Sequence, residues 1–379
     1  MIFIDNPNSK EFEESLNWLK ERSVLALDTE TNGLNPFKNK VLLIQVGNEE
    51  RQYVYDTYKI NPRIKELLTI LNDGKKYKII HNAQFDYKMI KGSFGIGLNN
   101  LICTYVIEKI LTKGKNISAS LKSVTKKYMG IELDKEEQKS FINQVWGSSF
   151  TKEQLKYAGI DIVYLLTILE KQKVLIREKG IENLVNLELE VLPVIADMSL
   201  NGIYLNKTKW LELEQKALKE QKTLEEELRS YFADYFIKEG EDSLFTGLLT
   251  PVNLNFDSPL QVKKAFEEHL GLAIESTEAK YLVTIKDAHP AIDLLIRYRQ
   301  SQKLITTYGT KFLENINDLT GRIHSNFKQI DTETGRMSSN EPNLQNIPRS
   351  QDYRTPFQVE DPENYRMISA DFSGKQKYA

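Results

Sequence analysis

The sequence predicts an α/β fold for the first part of the chain, with helices packed on a central sheet, followed by a mainly helical region and a polar, turn-rich end. Short Val-, Ile- and Leu-rich runs bounded by turn residues alternate with helix-like stretches in the first part. From about residue 188 the apolar spacing turns helical, and internal repeats and low-complexity tracts are absent.

In chain order, residues 23–30 (SVLALDTE) and 40–47 (KVLLIQVG) read as strands, and 52–55 pair behind the second as a hairpin. Residues 77–81 (YKIIH) form a third short strand leading into the helical run DYKMIKGSF. Helical periodicity then covers 101–173, broken at Gly130 and at Gly147 with Ser148. Residues 207–236 form a long helix laced with Lys and Glu, its apolar side set by Trp210, Leu211, Leu213, Leu218, Leu224 and Leu228. Residues 258–270 and 290–316 are further helices, and 240–258 have loop chemistry.

Composition narrows the class. Of 379 residues, 40% are hydrophobic and 27% charged, the balance of a folded globular chain. A membrane span needs a far longer apolar run than any present, and the N-terminus lacks a basic region followed by an apolar stretch, so a cytoplasmic setting is expected, in a bacterial or phage-infected cell. The single cysteine, Cys103, excludes an intrachain disulfide and is expected to be a small buried residue. The net charge of −2 decides nothing about partners.

Four carboxylates stand in three patches: Asp28 and Glu30 in DTE, Asp86 in NAQFD, and Asp161 in YAGID. Side chains alternate along a strand, so Asp28 and Glu30 project from one face. Tyr157 and Asp161, four apart in a helix, also share a face. If the helix of Asp86 begins beside the first strand, all four acids converge. Such a cluster is unfavourable without cations, and hard oxygen ligands suit Mg²⁺ or Mn²⁺. Two such ions would clamp the attacking and leaving oxygens of a phosphoryl displacement, with the Tyr157 hydroxyl orienting the attacking water.

The order DxE, NxxxD, YxxxD resembles motifs Exo I, II and III of the DEDD exonuclease superfamily, in its tyrosine-containing branch, on a ribonuclease-H-like fold. That resemblance implies that Asp28, Glu30, Asp86 and Asp161 are metal ligands, that Tyr157 positions water, that Leu34 wedges against terminal bases, and that Asn82 lies near the substrate strand. Cys103 with Thr104 stands where that family often has Asp-Thr, a departure expected to be structural.

Further along, GRIHSNFKQIDTETGRMSSNEPNLQNIP (321–348) is similar to the stretch preceding the palm of family A DNA polymerases, and residues 188–205 and 298–312 resemble the helices leading into and out of that family's thumb. Arg336, Asn343, Gln345 and Asn346 offer long or amide side chains suited to minor-groove acceptors and the sugar–phosphate strand. Residues 366–372 (RMISADF) read as an apolar strand resembling motif A, which makes Asp371 a polymerase metal ligand and the Phe372 carbonyl a further one. The family then continues differently from the KQKYA found here, so no polymerase activity is expected from this chain alone.

The resemblance implies three parts: a 3′→5′ exonuclease domain over 1–180, a helical thumb over 181–320, and the beginning of an incomplete palm over 321–379. The expected activity is two-metal hydrolysis of DNA 3′ ends in replication or repair, on a single-stranded 3′ end and a primer–template duplex. An alternative is a non-catalytic DNA-binding half of a split polymerase, completed by a second polypeptide; a third reading is an RNA-trimming exonuclease.

Overall fold

Strand Val24–Thr31, apolar in its first half and carrying Asp28, Thr29, Glu30 and Thr31 in its second, lies in the middle of the sheet around which the first part of the molecule is built. The structure is a computed structural model, and it describes residues 1–113, 115, 117–134, 136–233 and 254–370. By their contacts these residues divide into two compact units: 1–202 with 324–346, and 203–323 with 347 onward.

In the first unit the elements run β1 (Ile2–Ile4), α1 (Lys10–Lys20), β2 (Val24–Thr31), β3 (Val41–Gly47), β4 (Gln52–Asp56), α2 (Ile64–Leu71), β5 (Tyr77–Ile80), α3 (Ala83–Phe94) and β6 (Leu101–Cys103). Next come α4 (Thr104–Leu111), α5 (Leu121–Met129), α6 (Lys152–Asp161), α7 (Leu165–Lys179) and α8 (Glu182–Asn201). The sheet order is β1-β4-β3-β2-β5-β6, with β2, β3 and β4 antiparallel and the outer pairs parallel. This is the mixed, helix-flanked sheet expected from the sequence.

Two stretches differ from expectation. Leu101–Cys103, expected to be helical, is an edge strand pairing with β5, because its three apolar residues complete the sheet's hydrogen bonding. Ile2–Ile4, not anticipated at all, forms the opposite edge against β4. A run of three residues is too short to carry a period, and only the partner strand defines it.

The sheet's faces are covered unequally. One buries Phe12, Leu27, Tyr53, Tyr55, Leu68 and Ile90 in the main core; the other carries a smaller cluster of Leu43, Val54, Phe141, Tyr157 and Ala158. The N-terminus of α6 is set by a reciprocal capping box, in which the Thr151 hydroxyl accepts from Gln154 N–H and the Gln154 carboxamide accepts from Thr151 N–H. Cys103 is buried, as expected. Helix α8, expected to begin the thumb, joins this unit because Val185, Leu192 and Ala196 enter its main core.

The second unit starts with β7 (Ile203–Tyr204), then α9 (Lys207–Ser230), α10 (Pro259–Leu270), α11 (Ala279–Thr284) and α12 (Pro290–Tyr308), and returns through β8 (Arg322–Ile323), which pairs antiparallel with β7. Leu224, Leu228, Phe256, Phe266 and Leu295 form its core, while Trp210, fully buried, stacks on Phe312 at 5.0 Å and meets Tyr353 and Phe357 edge-on. The expected helix over 290–316 stops at Tyr308. There Glu214 accepts hydrogen bonds from the N–H and hydroxyl of Thr310, and a 3₁₀ turn follows over Thr310–Asn315. The end of the expected helix over 207–236 and most of the expected loop over 240–258 lie outside the described residues.

The polar tail contributes β9 (Asn326–Lys328) and β10 (Ser338–Asn340), an antiparallel pair in the first unit, and α13 (Gln351–Arg354) in the second. Gln84 and Lys88 of α3 donate to the Phe327 carbonyl and the Asn326 carboxamide, and Gln329 donates to Glu188 of α8. The strand expected over 366–372 is not formed in its described part: residues 366–370 are exposed and irregular, and no described strand pairs with them to satisfy their backbone groups. Asp371 and Phe372 lie outside the described residues. The compact units thus cut the chain at other places than 180 and 320.

Phe12→Ala and Trp210→Ala are each expected to cost about 3–5 kcal/mol, with hydrogen exchange showing lost protection in the first unit for one and in the second for the other. Burial lowers the Lys78 ammonium to about pH 8 from 10.5, although its Nζ donates to the Asp73 and Lys76 carbonyls. Below pH 8 the folded state carries the full penalty; between 8 and 10.5 the unfolded chain holds the extra proton, so stability rises with pH. Urea titrations of wild type and Lys78→Met should therefore diverge in favour of wild type across that window, with a slope approaching ~1.4 kcal/mol per pH unit.

Candidate active site

Strand β2 presents Asp28 and Glu30 on one face, and the last residue of α6, Asp161, comes to the same place. One carboxylate oxygen from each of the three lies within 4.8 Å of the others. Glu30 and Asp161 are buried and Asp28 is half-buried. At an effective dielectric of about 20, two like charges at this spacing repel by roughly 3 kcal/mol. Three carboxylates held this way by buried elements are a donor set for a hard divalent cation, which removes the repulsion.

Tyr157 lies one turn before Asp161 on α6 and is hydrogen-bonded to it. Burial, and then the charges of Asp161, Glu30 and Asp28, hold its phenol far above the ordinary tyrosine range, so the hydroxyl stays protonated and donates to the Asp161 carboxylate. The expected sharing of a helix face by Tyr157 and Asp161 is what the structure contains.

Asp86, in the first turn of α3, stands outside this group of three. It is buried, and its Oδ1 accepts a 2.6 Å hydrogen bond from the hydroxyl of Thr29, the residue between Asp28 and Glu30 on β2. Burial pushes its carboxyl up to about 7, opposed by the Thr29 hydroxyl. Thr29 was not singled out from the sequence. Strand alternation carries the signal, since it turns the middle residue of DTE away from its two neighbours.

Loop 32–39 follows β2 and is tied by its own asparagines: Asn35 N–H donates to Asn39, Phe37 N–H to Asn35, and Lys40 N–H to Asn32. Gly92 of α3 lets that helix pass close by, for a Cβ there would sit 2.4 Å from the Pro36 carbonyl oxygen. On this braced loop Leu34 is 75% exposed, outside the core. Asn82 is exposed at the start of α3 in the left-handed conformation, φ 66°.

The candidate duplex contacts follow β9 in the chain: Arg336 and Asn343 flank β10, and Gln345 and Asn346 lie in a 3₁₀ turn, Leu344–Asn346. Arg336 is exposed, its backbone N–H and carbonyl both bonded to the Thr332 hydroxyl. Asn343 accepts from the Ser339 hydroxyl and the Gln345 N–H, and Gln345 donates to the Met337 carbonyl, so both amides brace the segment itself. Asn346 is exposed beside them.

Comparison with known proteins gives two family matches along the chain: 3′-5′ exonuclease over residues 5–176 and DNA polymerase family A over residues 222–376. DNA polymerase I of Borreliella burgdorferi is 27% identical over 96% of this chain and 40% of its own length, and that of Aquifex aeolicus 27% over 95% and 60%. DNA polymerase I of Helicobacter pylori reaches 34% over 44% of this chain and 17% of its own. The chain therefore spans between about two fifths and three fifths of the two relatives it matches along nearly its whole length. Among solved structures, the POL domain of Pol1 from M. smegmatis in complex with DNA primer-template and dNTP superposes with a TM-score of 0.73 at 20% identity, over 93% of this chain and 58% of that one, a likeness of fold. The chain thus carries a match to 3′-5′ exonuclease followed by one to DNA polymerase family A, and along nearly its whole length it is similar to DNA polymerase I.

Proposed function

We propose that the first unit is a metal-dependent 3′→5′ exonuclease that removes nucleotides from DNA 3′ ends, serving proofreading in replication or repair. The observation that carries this is the meeting of Asp28, Glu30 and Asp161 from distant parts of the chain, their oxygens within 4.8 Å of one another. Asp28, Glu30 and Asp161 would hold one Mg²⁺ or Mn²⁺ ion, the first of the pair that a two-metal hydrolysis uses. Bound there, the ions would neutralise the cluster, lower the pKa of water and stabilise a departing 3′ oxygen.

The protein's own groups have distinct tasks in this reading. Asp28, the least buried acid of the three, faces the scissile phosphate. Tyr157, neutral and hydrogen-bonded to Asp161, orients the attacking water through its hydroxyl oxygen. Leu34, exposed on its braced loop, wedges between the terminal bases, and Asn82 lies along the frayed strand. The segment with Arg336, Asn343, Gln345 and Asn346 tracks the duplex from the minor-groove side, where acceptors are common to every base pair. The DNA primer-template in the M. smegmatis complex, and the name shared by the relatives, support DNA as substrate. Polymerisation, and the metal roles of Asp371 and Phe372, belong to the whole-protein reading.

A degradation assay on end-labelled single-stranded DNA with Mg²⁺ tests the assignment. Asp28→Ala and Asp161→Ala should each lower the rate by several orders of magnitude, and chelation with EDTA should abolish it reversibly. Wild-type rates in both variants would sink the proposal, and equal trimming of RNA would reassign the substrate. Tyr157→Phe, which keeps the ring and removes only the hydroxyl, should slow turnover about 10²-fold with little change in KM. An unchanged turnover number would show that the tyrosine only packs.

A further inference from the structure

Beside Asp28 on the same face of the sheet lies an amide that the roles above do not use. Gln45 of β3 is paired with Asp28 in the antiparallel register. Residues paired in this way share a face, with Cβ atoms about 4.5–5.5 Å apart. Gln45 is fully buried, and among the described residues neither its Nε2 nor its Oε1 has a hydrogen-bond partner. On the other side it pairs with Val54 of β4, and two residues along β3 on the same face stands Leu43; both belong to the apolar cluster that also contains Tyr157 and Ala158. Asp28 is its direct cross-strand partner on β2, and Glu30 stands two residues along the same face.

An unpaired carboxamide in such surroundings is destabilising, whereas an apolar side chain of the same shape is not. Native proteins leave few such groups, and those they keep call for a reason. An amide offers what the three acids lack: a neutral donor that can bind a carboxylate without adding to the crowded charge. Ligating carboxylates are commonly held in place by an outer hydrogen bond.

We propose that Gln45 is a positioning residue of the acidic site, its Nε2–H turning to donate to the Asp28 carboxylate when a divalent cation draws that carboxylate into a single orientation. The proposal rests on Asp28 being a ligand. With a cation bound, the amide would hold the ligand that reaches furthest toward solvent.

The test compares wild type with Gln45→Met by two measurements: Mn²⁺ titration followed through the electron paramagnetic resonance signal of the free ion, and thermal unfolding without metal. Gln45→Met should weaken Mn²⁺ binding about 10–100-fold while raising the metal-free Tm. Equal Mn²⁺ affinity overturns the proposal. So does a lower Tm, because the amide would then already be paired in the metal-free protein. Wild type that binds no Mn²⁺ overturns the ion site itself, a different result from equal affinity in the two proteins. Should Gln45→Met fail to fold, Gln45→Asn retains an amide one methylene shorter; weaker Mn²⁺ binding is expected there too, and unchanged binding counts against the proposal.

Discussion

Mutual repulsion among three carboxylates, held together by a framework that does not let them part, is the constraint on which the rest of this molecule turns. Asp28 and Glu30 sit on the strand with sheet partners on both sides, and Asp161 ends a helix packed over the same face. Neither element has freedom to relax the charges: Leu25, Ala26 and Leu27 of the strand are fully buried, and the helix is locked at its start by Thr151 and Gln154. The sheet, the capping box and the small apolar cluster around Tyr157 act as one brace. Their packing energy holds an arrangement that three isolated acids would avoid.

The fourth acid is held in a different way. Asp86 does not join the other three directly; it is connected to them through the Thr29 hydroxyl, on the opposite side of the same strand. Helix α3, which carries it, is gripped two residues to either side of Asp86, where Gln84 and Lys88 bond to the β9 strand of the polar tail. A segment more than two hundred residues away in the chain therefore buttresses the helix that positions a candidate ligand. That tail segment is also where Arg336 and the bracing amides lie, so the candidate duplex contacts and the acidic site share one compact unit.

Buried polar groups separate structural from functional tasks in this unit. Glu108 is enclosed but fully employed, bonded to Lys127, Tyr128 and Gln172, and it knits helices α4, α5 and α7 together. Gln45 is equally enclosed, and among the described residues its amide has no hydrogen-bond partner. Satisfied buried networks rigidify a fold, whereas an unsatisfied group costs stability, so the two residues point to different uses despite similar burial.

Local pattern alone determined the long elements, their type, and the face on which each candidate residue lies. The alternation in VLALDTE put Asp28 and Glu30 together, and the four-residue step put Tyr157 beside Asp161, because strand and helix periods are properties of the backbone. Tertiary structure alone decided the edge strands Ile2–Ile4 and Leu101–Cys103, the stop at Tyr308, the placing of α8 and the 324–346 segment in the first unit, and the separation of Asp86 from the other acids. Each of these depends on a partner distant in sequence: a neighbouring strand's free backbone groups, the Glu214 carboxylate, a shared core, the Thr29 hydroxyl. No period within a few residues encodes such a partner, and only the folded chain supplies it.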